Sequence, residues 1–333
     1  MTTGRVVVVT GASAGVGRAV AQGFADQGAA VGLLARGAEG LEAARADVEA
    51  RGGRAMALPT DVSDSHAVEH AATLVENHLG PIDVWVNVAM VSVFSPVHQL
   101  EADEVRRVSE VTYLGSVNGI LAALRRMRPR DRGTIIQVGS ALGYRAIPLQ
   151  ASYCGAKFAI RGFVDSLRCE LAAEASHVRV TTVHLPGLNT PQFSWMRTRL
   201  EGHPRPVPPV YQPEVAAGAV VWAADHRRRE VFVGGPTVAT VLANKVAPGL
   251  VDRYLARTNI HAQQMDEKVA PDRPDNLLTP VAGHHDAHGI FDDEAHGRSL
   301  QLEISKHRPV AGTAAAAAGV TALAWGLRRR RKR

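Results

Sequence analysis

The sequence predicts an α/β fold built on a buried parallel sheet, and three features predict it. The first is a β-branched run, Arg5–Thr10 (RVVVVT). It leads into a glycine turn, Gly11-Ala-Ser-Ala-Gly15-Val-Gly17, and then an amphipathic helix from Arg18 to about Gln27. The second is a further strand-like segment, Ala30–Ala35, which follows that helix at once. The third is a serine, a tyrosine and a lysine (Ser140, Tyr153 and Lys157) spread across another strand and the helix after it. Short apolar runs without alternation read as strands covered on both faces, and strand–helix–strand order gives a parallel sheet.

Glycines in a strand-to-helix turn let the backbone approach a phosphate closely, and the helix N-terminus attracts its charge. Gly11, Ser13, Ala14, Gly15, Val16 and Gly17 are therefore candidates to cradle a dinucleotide. Their spacing is G-x-x-x-G-x-G, not the longer-known G-x-G-x-x-G. A turn of this composition can also exist without a ligand, but the second strand argues for one. It ends in Arg36, with no acid before Glu39. An Asp or Glu there would grip a ribose 2′-hydroxyl, whereas an arginine accommodates a 2′-phosphate, so NADP(H) is expected over NAD(H). The bland alternative is a solvated Arg36. After the strand-like Ala55–Leu58, Asp61 and Val62 are placed to meet the adenine, or Asp61 is the N-cap of the next helix.

Ser140 ends the apolar run Ile135–Val138, so its hydroxyl belongs at the carboxyl end of a strand, where ligands collect in open α/β sheets. Tyr153 and Lys157, four apart, share one helix face. A phenol titrates near 10, too high for acid–base work at neutral pH, and a neighbouring ammonium is expected to lower it. Taken alone, Y-x-x-x-K is a weak signal; beside the glycine turn it becomes a proton-transfer site.

Thr10–Gly17, Asp61, Asn87, Ser140, Tyr153-x-x-x-Lys157 and Pro186-Gly187, in that order and spacing, resemble a short-chain dehydrogenase/reductase over roughly Arg5 to Tyr254. The resemblance implies a Rossmann-type, doubly wound, seven-stranded parallel sheet. It implies hydride transfer between NADP(H) and an alcohol or carbonyl, an activity on CH–OH groups. It places Asn87, Ala89, Pro186, Gly187, Leu188 and Thr190 at the cofactor and gives Lys157 the nicotinamide ribose. It pairs subunits as a homodimer or homotetramer through long helices near Glu101–Arg128 and Ser152–Ala175. Two positions depart from the family pattern. Asn87-Val88-Ala89-Met90 stands where Asn-Asn-Ala-Gly is usual, and Thr112 stands where an asparagine feeds a water-linked proton relay to the lysine. Thr112 is expected to hold that water less well.

The charge supports a small-molecule enzyme. The net charge is +6, but Arg328–Arg331, Lys332 and Arg333 account for all of it, leaving Met1–Leu327 formally neutral. No basic nucleic-acid face is expected on the folded part. Cys154 and Cys169 read as reduced thiols of a cytoplasmic protein. No metal site is expected: His284, His285, Asp286 and His288 match no closed zinc spacing.

Segments after Ser140, Met90 and Thr190 should ring the open end of the sheet, with the proline-rich HPRPVPPVYQP beyond them. Phe94, Leu142, Tyr144, Phe193, Trp195 and Met196 are expected to form an apolar pocket under a mobile lid, suited to a lipophilic alcohol or ketone. The chain is divided as a cofactor-binding domain over 1–255, a polar extension over 256–308 and a tail over 309–333. The extension reads as a solvated arm lying on the domain or on a neighbouring subunit. In the tail, eighteen uncharged residues, Val310–Leu327, precede RRRRKR. That length just reaches a membrane span, but a basic end suits a helix lying on an anionic surface, a peripheral anchor. Two rival readings remain at this stage: a non-catalytic NADP(H)-binding sensor or scaffold, and a membrane-surface adaptor acting through the tail.

Overall fold

The computed structural model describes residues 4–270 and 272–307. The surface helix and basic block expected over 309–333 lie outside the described residues. Among the described residues, no helix is long and apolar enough to cross a membrane.

The first half alternates strictly: β1 (Val6–Thr10), α1 (Gly15–Ala25), β2 (Ala30–Ala35), α2 (Ala38–Ala50), β3 (Arg54–Pro59), α3 (Ser65–Leu79) and β4 (Val84–Asn87). The second half adds β5 (Val93–Phe94), α4 (Ala102–Val108), α5 (Gly115–Met127), β6 (Thr134–Ser140), α6 (Ala151–Ala173) and β7 (Arg179–Leu185). Then come α7 (Gln192–Trp195), β8 (Arg197–Thr198), β9 (Gly202–Pro204), α8 (Pro213–Asp225), β10 (Glu230–Phe232), α9 (Gly235–Val246), α10 (Pro248–Ala262), β11 (Gln264–Lys268) and α11 (Leu300–Lys306). Seven strands pair in the order β10-β7-β6-β4-β1-β2-β3, all parallel. The chain winds outward from β1 to β3, then crosses back to β4 and winds the other way. The carboxyl ends of β1 and β4 therefore face the crevice where such sheets bind ligands.

The run of valines in β1 serves both faces of the sheet. Val7 and Val9 join a core with α1, α2 and α8, while Val6 and Val8 join a second core with α3, α5 and α6. Period-two side chains on a doubly covered sheet require apolar residues at every position.

Three expectations change here. The helix expected over Glu101–Arg128 is broken by a π-helical turn, Ser109–Leu114, that carries Thr112. Asp61 is not a helix cap; Asp64 caps α3, accepting from the His66 and Ala67 N–H groups at 2.8 and 3.1 Å. The boundary at 255 falls inside α10, and the chain beyond it packs back on the domain through β11 against β9 and through buried Leu302.

Candidate active site

A cavity of about 670 Å³ runs along the carboxyl ends of the strands, from Arg36 and Asp61 at one end to Tyr153 and α10 at the other. Gly11, Ser13, Ala14, Gly15, Val16 and Gly17 line it. Gly11 has φ +69°, and a Cβ there would stand 2.8 Å from the Ala89 Cα. A Cβ on Gly17 would meet the Gly11 carbonyl oxygen at 2.1 Å. The turn is thus folded flat against the end of the sheet. No side chain caps the N-terminus of α1, and its first turn holds no acid. The Gly15 N–H is engaged by the Asp286 carbonyl, but uncapped N–H groups at a helix start facing a cleft suit a pyrophosphate, so the residues present fit a dinucleotide.

Arg36, Asp61, Val62 and Val111 also line the cavity. Asp61 accepts from Arg107 and from the Ser63 N–H and hydroxyl, at 2.9 and 2.7 Å for Ser63. These donors hold its carboxyl below the ordinary range, against the burial that would raise it. Arg36 pairs with no carboxylate among the described residues. Burial and the neighbouring Arg107 lower its pKa, yet a guanidinium stays charged.

Ser140 is the last residue of β6, and its Oγ accepts from the Leu142 N–H at 3.1 Å, leaving its own proton to donate. Tyr153 sits in the first turns of α6 with Lys157 one turn on. The Lys157 Nζ lies 5.5 Å from the Tyr153 ring centroid and donates to the Val138 carbonyl at 2.9 Å. All three line the cavity. Burial pushes the Tyr153 phenol above its usual value, opposed by a hydrogen bond with Ser140. Burial alone lowers the Lys157 ammonium to about 8. The expected depression of Tyr153 by Lys157 is not seen here: burial is the largest influence on the phenol, and the Lys157 ammonium is engaged by the Val138 carbonyl.

The fold agrees with what known proteins show. The family profile described as short chain dehydrogenase matches residues 5–200. The chain is a short-chain dehydrogenase. It is 31% identical to the uncharacterized oxidoreductase YxnA of Bacillus subtilis over 98% of this chain and 91% of that one. A metagenomic short-chain oxidoreductase solved with NADP superposes at TM-score 0.58, with 30% identity, over 69% of this chain and 97% of that one. An alcohol dehydrogenase of the archaeon Thermococcus sibiricus, solved with 5-hydroxy-NADP, gives TM-score 0.59 and 27% identity over 69% of this chain and 95% of that one. This short-chain dehydrogenase is accordingly an oxidoreductase.

Ala89, Pro186, Gly187, Leu188 and Thr190 line its cavity as the resemblance implies, and so does Met90. Asn87 does not. Its carboxamide is turned into the core, accepting from Trp85 Nε1 at 2.9 Å and donating to the Ser116 carbonyl at 3.2 Å. Thr112 is also turned away. Its fully buried hydroxyl donates to the Val91 carbonyl at 2.9 Å and accepts the Val91 N–H at 3.1 Å, so it is not available to hold a relay water.

At the substrate end Leu142, Phe193 and Trp195 line the cavity; Phe94, Tyr144 and Met196 do not. Phe94 and Met196 form a small core with Phe193, Val210 and Phe291. Tyr144 turns to the sheet edge, where its hydroxyl meets Glu230 and its ring meets His184 and Phe232. Their places are taken by Ile147, Val207 and the α10 residues Val251, Tyr254, Leu255 and Asn259. The proline-rich segment was a legible signal for this wall. The α10 residues carried none, because an amphipathic helix does not announce what it packs against.

The extension is not a loose arm. Arg273 donates to the Phe193 carbonyl at 3.0 Å and to that of Met196; the Asn276 N–H donates to the Trp195 carbonyl at 3.0 Å. Leu277 is fully buried beside Val62 and Val111. Arg36 donates to the carbonyls of Leu278 at 2.8 Å, Leu277 at 3.4 Å and Asn276. Farther on, the Gly15 N–H donates to the Asp286 carbonyl at 3.0 Å, and Arg18 to that of His285. The sequence reading laid this arm on the domain but not against Arg36 and the glycine turn, because the segment lacks periodicity and is held there by backbone groups. The histidines make local contacts: His288 lies 2.8 Å from both Glu214 and Asp292, and the His285 ring centroid 4.4 Å from that of Trp195.

Proposed function

We propose that this short-chain dehydrogenase interconverts a lipophilic alcohol and its carbonyl compound with NADP(H). The observation that carries the reading is that Ser140, Tyr153 and Lys157 open on the same cavity as the Gly11–Gly17 cradle. The dinucleotide supplies or accepts a hydride. Gly11–Gly17 would hold its pyrophosphate, Arg36 its 2′-phosphate and Lys157 its ribose beside Tyr153. Three of the five N–H donors of Arg36 are engaged by arm carbonyls, which leaves two for a phosphate.

Ser140 donates its hydroxyl proton to the substrate oxygen and stabilises the charge that develops there. Tyr153, protonated across the neutral range, delivers the proton that completes the alcohol. Ile147, Leu142, Phe193, Val207 and Leu255 favour an apolar substrate body. Exposed Val105, Leu114, Leu121 and Phe158 on α4–α6 suit pairing of subunits through those helices.

The test is NADPH and NADH binding to the purified protein, then NADPH consumption on a panel of lipophilic ketones, aldehydes and quinones. Tyr153→Phe should keep NADPH binding and lose roughly 10²–10⁴ in turnover, the usual share of a general acid. Tight NADPH binding with no turnover in either direction would favour a sensor instead.

A further inference from the structure

The cavity's adenosine end has an outer wall that the sheet does not supply. Asn276, Pro280, Val281 and His285 form it. These residues lie between Lys268 and Leu300, where the described residues form no helix or strand. Leu277 anchors it at one end, and buried Ala287 and Phe291 anchor it at the other. Between the anchors, Leu278, Thr279 and Pro280 are exposed. The span is held mainly by polar contacts: the Arg36 bonds, Arg107 to the Leu277 carbonyl at 3.2 Å, the Gly283 N–H to Glu39 at 2.7 Å, the Gly15 bond to Asp286, Arg18 to the His285 carbonyl, and the His285 ring against Trp195. Segments with few apolar contacts and isolated hydrogen bonds open at low free energy. A dinucleotide reaching from Arg36 to Tyr153 must lie beneath this span.

We infer that residues 278–286, between these anchors, are a strap that closes over the cofactor half of the cleft, helps hold Arg36 in place, and must lift for each dinucleotide exchange. The inference rests on the cofactor reading above. The strap can be locked. A Cβ at Gly37 would lie 3.4 Å from the Pro280 Cβ, close to the Cβ separation of a disulfide. The variant Gly37→Cys/Pro280→Cys is made in a Cys169→Ser background, since Cys169 is exposed. NADPH association and release are followed by stopped-flow fluorescence, oxidised and then reduced. The oxidised protein should exchange NADPH at least tenfold more slowly than its reduced form, and reduction should reverse that slowing within the same variant. Equal rates in the two states overturn the strap and leave the cofactor reading intact. Failure of the two cysteines to bond contradicts the docked position. No NADPH binding by the wild type overturns both.

A separate observation concerns the substrate end. Asn259 lines the cavity from α10, is 6% exposed, and its Oδ1 is buried without a hydrogen-bond partner. The adjacent amides satisfy one another instead: Gln150 donates to Gln263 at 2.7 Å, and Gln263 donates to the Asn259 and Pro148 backbone carbonyls. A buried acceptor in an apolar wall is costly to leave unpaired. We propose that Asn259 accepts a hydrogen bond from a hydroxyl or N–H that the substrate carries away from its reacting carbon. The test compares ketones of one carbon skeleton with and without a second hydroxyl, placed along the chain in turn, on wild type and Asn259→Leu. One hydroxylated isomer should be preferred at least tenfold in kcat/KM by the wild type, through KM, and Asn259→Leu should erase that preference while NADPH binding holds. No preference at any position, or one that survives Asn259→Leu, overturns the assignment. Turnover of no ketone would instead overturn the reductase reading on which it rests.

Discussion

Replacing Arg36 by alanine tests the cofactor reading most directly. The guanidinium gives three donors to the strap carbonyls and meets no carboxylate among the described residues, so two donors and a full charge remain for a phosphate. A hydrogen bond to a charged group contributes about 1.5–3 kcal/mol. The lower end applies because Arg36 is only partly buried and solvent screens it. Two such bonds give about 3 kcal/mol, roughly a hundredfold in affinity. Arg36→Ala also leaves three strap carbonyls without their donor, but that loss falls equally on both dinucleotides. The quantity to measure is therefore the ratio of NADPH to NADH dissociation constants, by fluorescence titration or calorimetry. It should shift roughly a hundredfold against NADPH, with NADH changed little. An unchanged ratio would refute the assignment of Arg36 to the 2′-phosphate, however much both affinities fell.

Three further outcomes follow from the geometry. Lys157 has its pKa lowered to about 8 by burial, so its ammonium carries the full cost of burial below that pH and loses its proton as pH rises through it, before an unfolded lysine would. NADPH affinity should fall above about pH 8, by up to roughly tenfold per unit, and a flat titration would remove the ammonium from cofactor binding. Thr112→Val orphans the buried Val91 N–H and carbonyl; at about 1–3 kcal/mol the melting temperature should drop by about 2–6 °C, with turnover per folded molecule nearly kept. Unchanged melting with lost turnover would return Thr112 to a proton relay. Gly17→Ala puts a methyl 2.1 Å from the Gly11 carbonyl oxygen, so NADPH binding should collapse; an unaltered dissociation constant would show that the turn is not the cradle.

Most of the fold was legible because its signals are local. Four successive valines can only be a strand covered on both faces, and the glycines after Thr10 specify a turn that no side chain fits. The i, i+4 relation of Tyr153 and Lys157 is set by helix geometry alone. Ser140 was legible too, because the end of an apolar run is the end of a strand. Asn87 and Thr112 were not legible as core-facing residues, since the Ser116 and Val91 carbonyls they donate to are 29 and 21 positions away in sequence.

The sequence by itself determined the sheet, the glycine turn and the placing of Ser140, Tyr153 and Lys157, since each depends on neighbours within a few positions or on the period of one element. Tertiary structure alone decided which side chains face the substrate. Phe94, Tyr144 and Met196 have the composition of a pocket, but packing turned them elsewhere, and α10 supplied the wall instead. It also decided the fate of the polar extension. A segment without hydrophobic period gives no sign of where it lies. Its position is fixed by single buried anchors and by backbone carbonyls, which every residue carries and no residue type reveals.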